Sequence, residues 1–104
     1  MQYLIIGSGK IGIDLYIKLK KLDLPGKILI FNRNKNSVGA KYCRKKKFNY
    51  SSNGVKHLLN ELGNNKNIIF DCTSAAASEK IYIKLKNKLS KNFYVNLTPS
   101  PIGK

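Results

Sequence analysis

Tyr3-Leu4-Ile5-Ile6-Gly7-Ser8-Gly9-Lys10-Ile11-Gly12 is the stretch from which the rest of the chain is read. A short apolar run without alternation ends in Gly7-Ser8-Gly9-Lys10-Ile11-Gly12, which satisfies G-x-G-x-x-G, and an amphipathic segment follows at once. Strand, tight turn, helix is the context that gives this pattern a physical meaning. Gly7 permits the sharp turn. Gly9, lacking a Cβ, lets the backbone approach a pyrophosphate. Gly12 lets the helix pack close to the strand. The N-terminus of the helix then presents N–H groups and a partial positive charge to phosphates. The pattern therefore implies dinucleotide binding; the plainer alternative is a strand-to-helix turn that holds no ligand.

The chain has 104 residues and a formal net charge of +15, from 20 Lys plus Arg against 5 Asp plus Glu. This length predicts one domain. The charge points to a polyanion, with nucleic acid as one class of partner. Lys and Asn are scattered along the whole chain, however, as an AT-rich genome would produce, and only Arg44-Lys45-Lys46-Lys47 is a compact basic cluster. No aromatic-interleaved basic ribbon accompanies it, so nucleic acid is not the expected partner. Cys43 and Cys72 have neither C-x-x-C spacing nor a His/Cys partner pattern. That indicates no metal site and no disulfide framework, and reads as a reduced, cytoplasmic protein. No apolar run approaches the roughly 20 residues that span a bilayer, and no leader precedes the first strand.

Working outward, Gln2 to Ile6 reads as a central parallel strand. A helix follows from about Lys10 to Leu22, with Ile11, Leu15, Leu19 and Leu22 expected to share the buried face and Asp14 spaced to pair with Lys18. Leu24-Pro25-Gly26 ends that unit. Lys27 to Asn32 is the second strand. A NAD site usually places an acidic residue here, about 20 residues after the glycines, to bond the ribose hydroxyls. This chain has Asn32-Arg33-Asn34 instead. An Asn still bonds a hydroxyl, and Arg33 suits a 2′-phosphate, which leaves NADP open beside NAD; a solvated loop charge is the alternative for Arg33.

Ser37 to Lys46 reads as a short helix capped by Ser37, with Val38, Tyr42 and Cys43 facing in and Cys43 acting as a small hydrophobe. Phe48 to Tyr50 is an edge strand. Val55 to Leu62 is a helix with Val55, Leu58, Leu59 and Leu62 on one face and His57 at the surface. Ile68 to Asp71 is the next buried strand, running into Cys72-Thr73-Ser74-Ala75. Ligands of open α/β sheets bind beyond the carboxyl ends of the strands, so Asp71, Thr73 and Ser74 are candidates to line a site; capping of the next helix is their alternative role. That helix is expected to open at Ser78-Glu79, with Ile81, Leu85 and Leu89 on one stripe and a lysine-rich solvated face. Asn92 to Leu97 is the last strand, and residues 98–104 leave it extended. The alternation of elements predicts an α/β fold: a Rossmann-type, doubly wound parallel sheet in a single domain, with strand order 3-2-1-4-5.

Three segments carry a resemblance to a family. They are Leu4-Ile5-Ile6-Gly7-Ser8-Gly9-Lys10-Ile11-Gly12-Ile13-Asp14-Leu15, Ile69-Phe70-Asp71-Cys72-Thr73-Ser74-Ala75 and Asn96-Leu97-Thr98-Pro99-Ser100-Pro101-Ile102-Gly103. Together they resemble the N-terminal part of the acylating acetaldehyde dehydrogenases, whose segments read IIGSGNIGTDL, IVFDATSA and DLTPAAIG. The resemblance implies NAD binding by Gly7, Ser8, Gly9, Lys10, Ile11 and Gly12, with Thr73 and Ser74 near the cofactor side of the sheet and Asn34 at the position of the family's acid after the second strand. In that family a cysteine of a second domain attacks the aldehyde. The thiohemiacetal gives hydride to the nicotinamide, and coenzyme A takes the acyl group. Many members work in complex with an aldolase that delivers acetaldehyde.

The departures bound what this chain inherits. The family's catalytic cysteine lies beyond the segment matched by Leu97 to Gly103, and Cys43 and Cys72 fall where the family usually has alanine. The expectation is thus residues 1–104 as a dinucleotide-binding domain, truncated relative to the family, with no catalytic residue and no catalytic or acyl-transfer domain of its own. The chain would then be a fragment, a truncated gene product or one half of a split enzyme whose separate partner chain supplies that domain. The alternatives are a stand-alone dinucleotide-binding module, a degenerate remnant without enzymatic activity, and a basic polyanion-binding domain.

Overall fold

A computed structural model of the chain describes residues 1–7, 9–32, 35–51, 58, 62, 66–85 and 92–97. In chain order the elements are β1 (Gln2–Ile6), α1 (Lys10–Lys21), β2 (Lys27–Phe31), α2 (Val38–Lys45), β3 (Tyr50–Ser51), β4 (Asn67–Asp71), α3 (Ala75–Leu85) and β5 (Asn92–Asn96). The strands form one five-stranded sheet in the order β3-β2-β1-β4-β5, parallel throughout. This is the predicted order. β1 lies at the centre because the chain winds outward from it twice, in opposite directions.

The unalternated apolar strands follow from burial on both faces. Leu4, Ile6, Leu29, Phe31 and Ile69 point to one face, where Leu58, Leu62 and Ile81 cover them. Ile5, Ile28 and Ile30 point to the other, beneath Tyr16 and Leu19 of α1 and Cys43 of α2. Each fully buried aliphatic side chain of this kind contributes about 1.5–3 kcal/mol. Tyr16 ties the second layer together. Its ring stacks on Phe48 at 4.4 Å between centroids, and its hydroxyl accepts from the Asn49 amide at 2.9 Å, so α1 is fastened to the connection that leads into β3. α2 begins as predicted, with the Ser37 hydroxyl accepting from the Ala40 amide at 3.1 Å.

The structure corrects several local expectations. The buried face of α1 is Gly12, Tyr16 and Leu19, rotated from the expected stripe: Ile11 is 48% exposed and Leu22 63%. The Tyr16–Phe48 stack sets this rotation, because it draws the aromatic side of α1 toward β2 and β3. Val38 opens α2 at its solvent side and is 86% exposed, while Cys43 is buried as expected. β3 is Tyr50–Ser51 rather than residues 48–50, since the Phe48 amide donates to the Cys43 carbonyl of α2 at 2.9 Å instead of joining a ladder. α3 starts at Ala75, not at Ser78, because Ser74 caps it through a bond from the Ala77 amide to the Ser74 hydroxyl at 3.2 Å. The expected helix over residues 55–62 lies mostly outside the described residues; Leu58 and Leu62 are described, and both are buried in the core. His57, Leu89 and residues 98–104 also lie outside them.

Among the described residues, the helices cover only part of one face of the sheet. α1 sits over β1 and β2 and α2 over β2 and β3. On that same face Phe70 is half-buried and Phe93, its neighbour on β5, is 70% exposed. The register that pairs Ile68 with Phe93 and Phe70 with Val95 puts these side chains on one surface.

Gly12 provides the tightest constraint. A Cβ built there stands 2.1 Å from the Gly7 carbonyl oxygen. Overpacking against backbone costs about 1–3 kcal/mol. Gly12→Ala is therefore expected to lower stability by at least that much, read as a fall in the urea midpoint of the circular-dichroism signal with the m-value unchanged.

Candidate functional site

The carboxyl edge of the sheet gathers the candidate residues. Past the strand ends the ladder continues for one more step: the Gly7 amide donates to the Phe31 carbonyl at 2.7 Å, the Cys72 amide to Ile6 at 2.9 Å, the Asn32 amide to Ser51 at 2.9 Å and the Leu97 amide to Asp71 at 2.8 Å. Gly7, Asn32, Ser51 and Cys72 are thereby held side by side above the sheet, where an open α/β fold binds its ligands.

The three motif glycines have different physical reasons. Gly7 has φ +103°, a conformation that side chains rarely adopt, and a Cβ on it would stand 3.1 Å from the Cys72 carbonyl oxygen and 3.4 Å from Thr73 Cγ2. Gly12 is forced by the Gly7 carbonyl. Gly9 is required by neither kind of constraint. Its φ of −76° and ψ of −171° suit any residue, it is exposed, and a Cβ built on it meets nothing within 4 Å. Gly9 is also the N-cap of α1. It contributes no side-chain capping bond, and no acidic residue occupies the first turn. Lys10 and Ile11 follow it, both exposed, and together with Ile13, Asp14 and Ile17 they line a shallow recess of about 600 Å³. Ser8, Arg33 and Asn34 lie outside the described residues.

Asn32 is the residue that sequence reasoning passed over in favour of Asn34. It directly follows the last residue of β2 and is 7% exposed, yet both its Oδ1 and its Nδ2 lack a hydrogen-bond partner. Among the described residues it is the one side chain with a donor and an acceptor both buried and unmatched. Leaving such groups unpaired costs about 1–3 kcal/mol each. The signal in the sequence was its position, one step beyond the apolar run of β2.

Thr73 and Ser74 sit beside the glycine turn, but their side chains are committed. The Thr73 amide and hydroxyl both donate to Asp71 Oδ1, at 3.0 Å and 2.5 Å, and Ser74 caps α3. Asp71 is fully buried and also accepts from the Tyr94 hydroxyl of β5. Its carboxylate therefore locks the loop after β4 onto β5 and is not presented to a ligand. The alternative role of capping and loop closure holds for these residues. Thr73 Cγ2 and the exposed Ser74 hydroxyl remain on the site side.

Burial disfavours the thiolate at both cysteines. Burial pushes the Cys72 thiol up to about 11, with the neighbouring Asp71 charge adding to the effect. Burial also raises Cys43, against a smaller opposing pull from Arg44. Both are free thiols, and the described residues contain no group of His, Cys, Asp and Glu able to hold a metal ion. No described helix is long and apolar enough to cross a membrane.

A parallel sheet wound on both sides, with a glycine turn and a helix N-terminus at its carboxyl edge, defines a Rossmann-like α/β domain. The chain is 34% identical over 100 residues to an acetaldehyde dehydrogenase of Burkholderia pseudomallei, a match that takes in 96% of this chain and 33% of the relative. Acetaldehyde dehydrogenases of Geobacillus thermodenitrificans and Shewanella woodyi are also 34% identical, over 95% of this chain and 33% and 31% of their own lengths. No protein-family model matches. The chain is a homologue of acetaldehyde dehydrogenases, and it spans about a third of the length of the relatives it matches, consistent with an N-terminal part.

The raised thiols give a direct test. Iodoacetamide at pH 7.5 is expected to leave Cys43 and Cys72 unmodified in the native chain and to label both after denaturation. A thiol whose native pKa lies above its unfolded value of about 8.5 stabilises the fold below that pH and loses the contribution as pH rises toward 11. Thermal midpoints are accordingly expected to decline between pH 9 and 11, and to decline less in Cys72→Ala.

Proposed function

We propose that this domain binds a nicotinamide dinucleotide, NAD in the first instance, as the cofactor-holding part of an acylating acetaldehyde dehydrogenase. The observation that carries the reading is Gly9. Gly7 and Gly12 are explained by backbone conformation and packing, whereas Gly9 has open space where a Cβ would stand and a backbone that any residue adopts. A glycine that neither its backbone conformation nor its surroundings require, at the N-cap of a helix, suits the close approach of a pyrophosphate. The buried, unmatched Asn32 amide supports the reading, since a ribose offers the hydroxyl donors and acceptors it lacks.

The proposed contacts are as follows. The backbone of Gly7, Ser8, Gly9, Lys10, Ile11 and Gly12 cradles the phosphates, and the Lys10 ammonium adds a charge at the rim. Asn32, with Asn34 beyond it, faces the adenosine ribose. Thr73 and Ser74 border the nicotinamide side. When bound, the dinucleotide supplies the hydride acceptor; the residues here orient it. No cysteine of this chain takes the aldehyde, because Cys43 and Cys72 are buried or half-buried thiols with raised pKa values. The nucleophile and the acyl transfer to coenzyme A belong to a catalytic domain beyond these residues, on this polypeptide or a partner. The exposed Ile11, Leu22 and Phe93 support that part, since exposed apolar side chains suit a surface that another domain covers. An aldolase partner follows from the family. The free thiols fit the cytoplasm.

Calorimetric titration of the 104-residue chain with NAD is expected to show saturable binding. Gly9→Val, whose Cβ has open space within 4 Å, should stay folded, destabilised only by the loss of a glycine N-cap (about 1 kcal/mol), and bind at least tenfold more weakly. Equal binding by the parent and the variant would refute the reading. Acetaldehyde and coenzyme A added to the NAD-loaded 104 residues are expected to give no NADH absorbance at 340 nm.

A further inference from the structure

We infer that Asn32 is a specificity-determining residue and that it opens this site to a 2′-phosphorylated dinucleotide. The inference rests on the dinucleotide reading above and goes beyond it in naming which form is admitted. Asn32 occupies the position at the carboxyl end of β2, directly beside Gly7: its amide donates to Ser51 across the ladder, and the carbonyl of the preceding Phe31 accepts from Gly7. A carboxylate at this place selects for NAD by two effects. It accepts from both ribose hydroxyls, and its charge repels a phosphate on the 2′ oxygen.

An amide reverses the second effect. Asn32 Nδ2 is a donor, and Oδ1 is an acceptor without net charge. The acceptor takes a 3′-hydroxyl proton, and the donor serves a 2′-hydroxyl or a 2′-phosphate oxygen equally. Neither atom has a hydrogen-bond partner in the folded chain. Two of the described acidic side chains are already engaged elsewhere. Asp71 is sealed between Thr73 and Tyr94, and Asp14 is paired with Lys18 at 2.9 Å on the exposed side of α1. The next residue in the chain is Arg33, and the net charge of +15 sets a positive field around the whole domain. A 2′-phosphate adds roughly two negative charges, so that field favours the phosphorylated form at low ionic strength.

Titrating the 104-residue chain with NAD and with NADP, at 20 mM and 200 mM salt, tests the inference. At 20 mM salt the NADP Kd is expected to lie within tenfold of the NAD Kd or below it, with the steeper salt dependence for NADP. Asn32→Asp is expected to weaken NADP at least tenfold relative to NAD. Thermal unfolding establishes that the variant is folded. Should it not fold, adenosine 2′,5′-bisphosphate against 5′-AMP on the unaltered chain reads the same preference, and within-tenfold affinity is again the expected result. NADP binding more than tenfold weaker than NAD would overturn this inference while leaving the dinucleotide reading intact. So would an unchanged NADP-to-NAD ratio in a folded Asn32→Asp. Failure of both dinucleotides to bind would overturn both readings.

Discussion

The contact between Gly12 and the Gly7 carbonyl governs the placement of everything around the site. A helix that must start within a few residues of a central strand, and then run back over the sheet, has room only if the first turn touches backbone directly. Gly7 turns the chain with a positive φ, and Gly12 admits its carbonyl. With α1 seated that close, Tyr16 reaches Phe48 and Asn49, and the layer of α1 and α2 closes over Ile5, Ile28 and Ile30. The same closeness aims the N-terminus of α1 across the edge where Asn32 and Cys72 are held. Fold and site thus depend on one steric condition.

Charge is arranged differently from shape. The acidic groups are few, and two of them are engaged locally: Asp71 by three hydrogen-bond donors and Asp14 by Lys18. Surface pairs such as Asp14 with Lys18 contribute little to stability. Their consequence is electrostatic. They leave a basic domain whose carboxyl edge presents backbone amides, a lysine and a neutral amide, a surface suited to an anionic ligand that carries hydroxyl groups. The raised cysteines belong to the same economy: thiols packed as small hydrophobes have no positive partner strong enough to hold a thiolate.

Much of this was legible in the sequence. The unbroken apolar strands announced a parallel sheet, the glycine spacing announced the turn, and the winding rules gave the strand order. Ser37 as a cap and Cys43 as a core residue were also readable locally. What failed were statements about which side of an element faces what. The stripe of Ile11, Leu15, Leu19 and Leu22 has good helical periodicity, yet α1 buries Gly12, Tyr16 and Leu19. Periodicity finds an apolar face but cannot tell a face toward the sheet from one toward an open flank. Likewise, Asn34 was preferred over Asn32 because spacing from the glycines is elastic by a residue or two, whereas the ladder bond from Asn32 to Ser51 is not.

The sequence by itself determined the class of fold, the central place of β1 and the kinship with acetaldehyde dehydrogenases, because these rest on composition along the strands and on short motifs whose geometry is local. Only the tertiary structure decided the rotation of α1, the locking of Asp71 between Thr73 and Tyr94 and the unmatched burial of Asn32. Each of these depends on partners 20 or more residues away or on the absence of any partner, and neither can be read from a window of neighbouring residues.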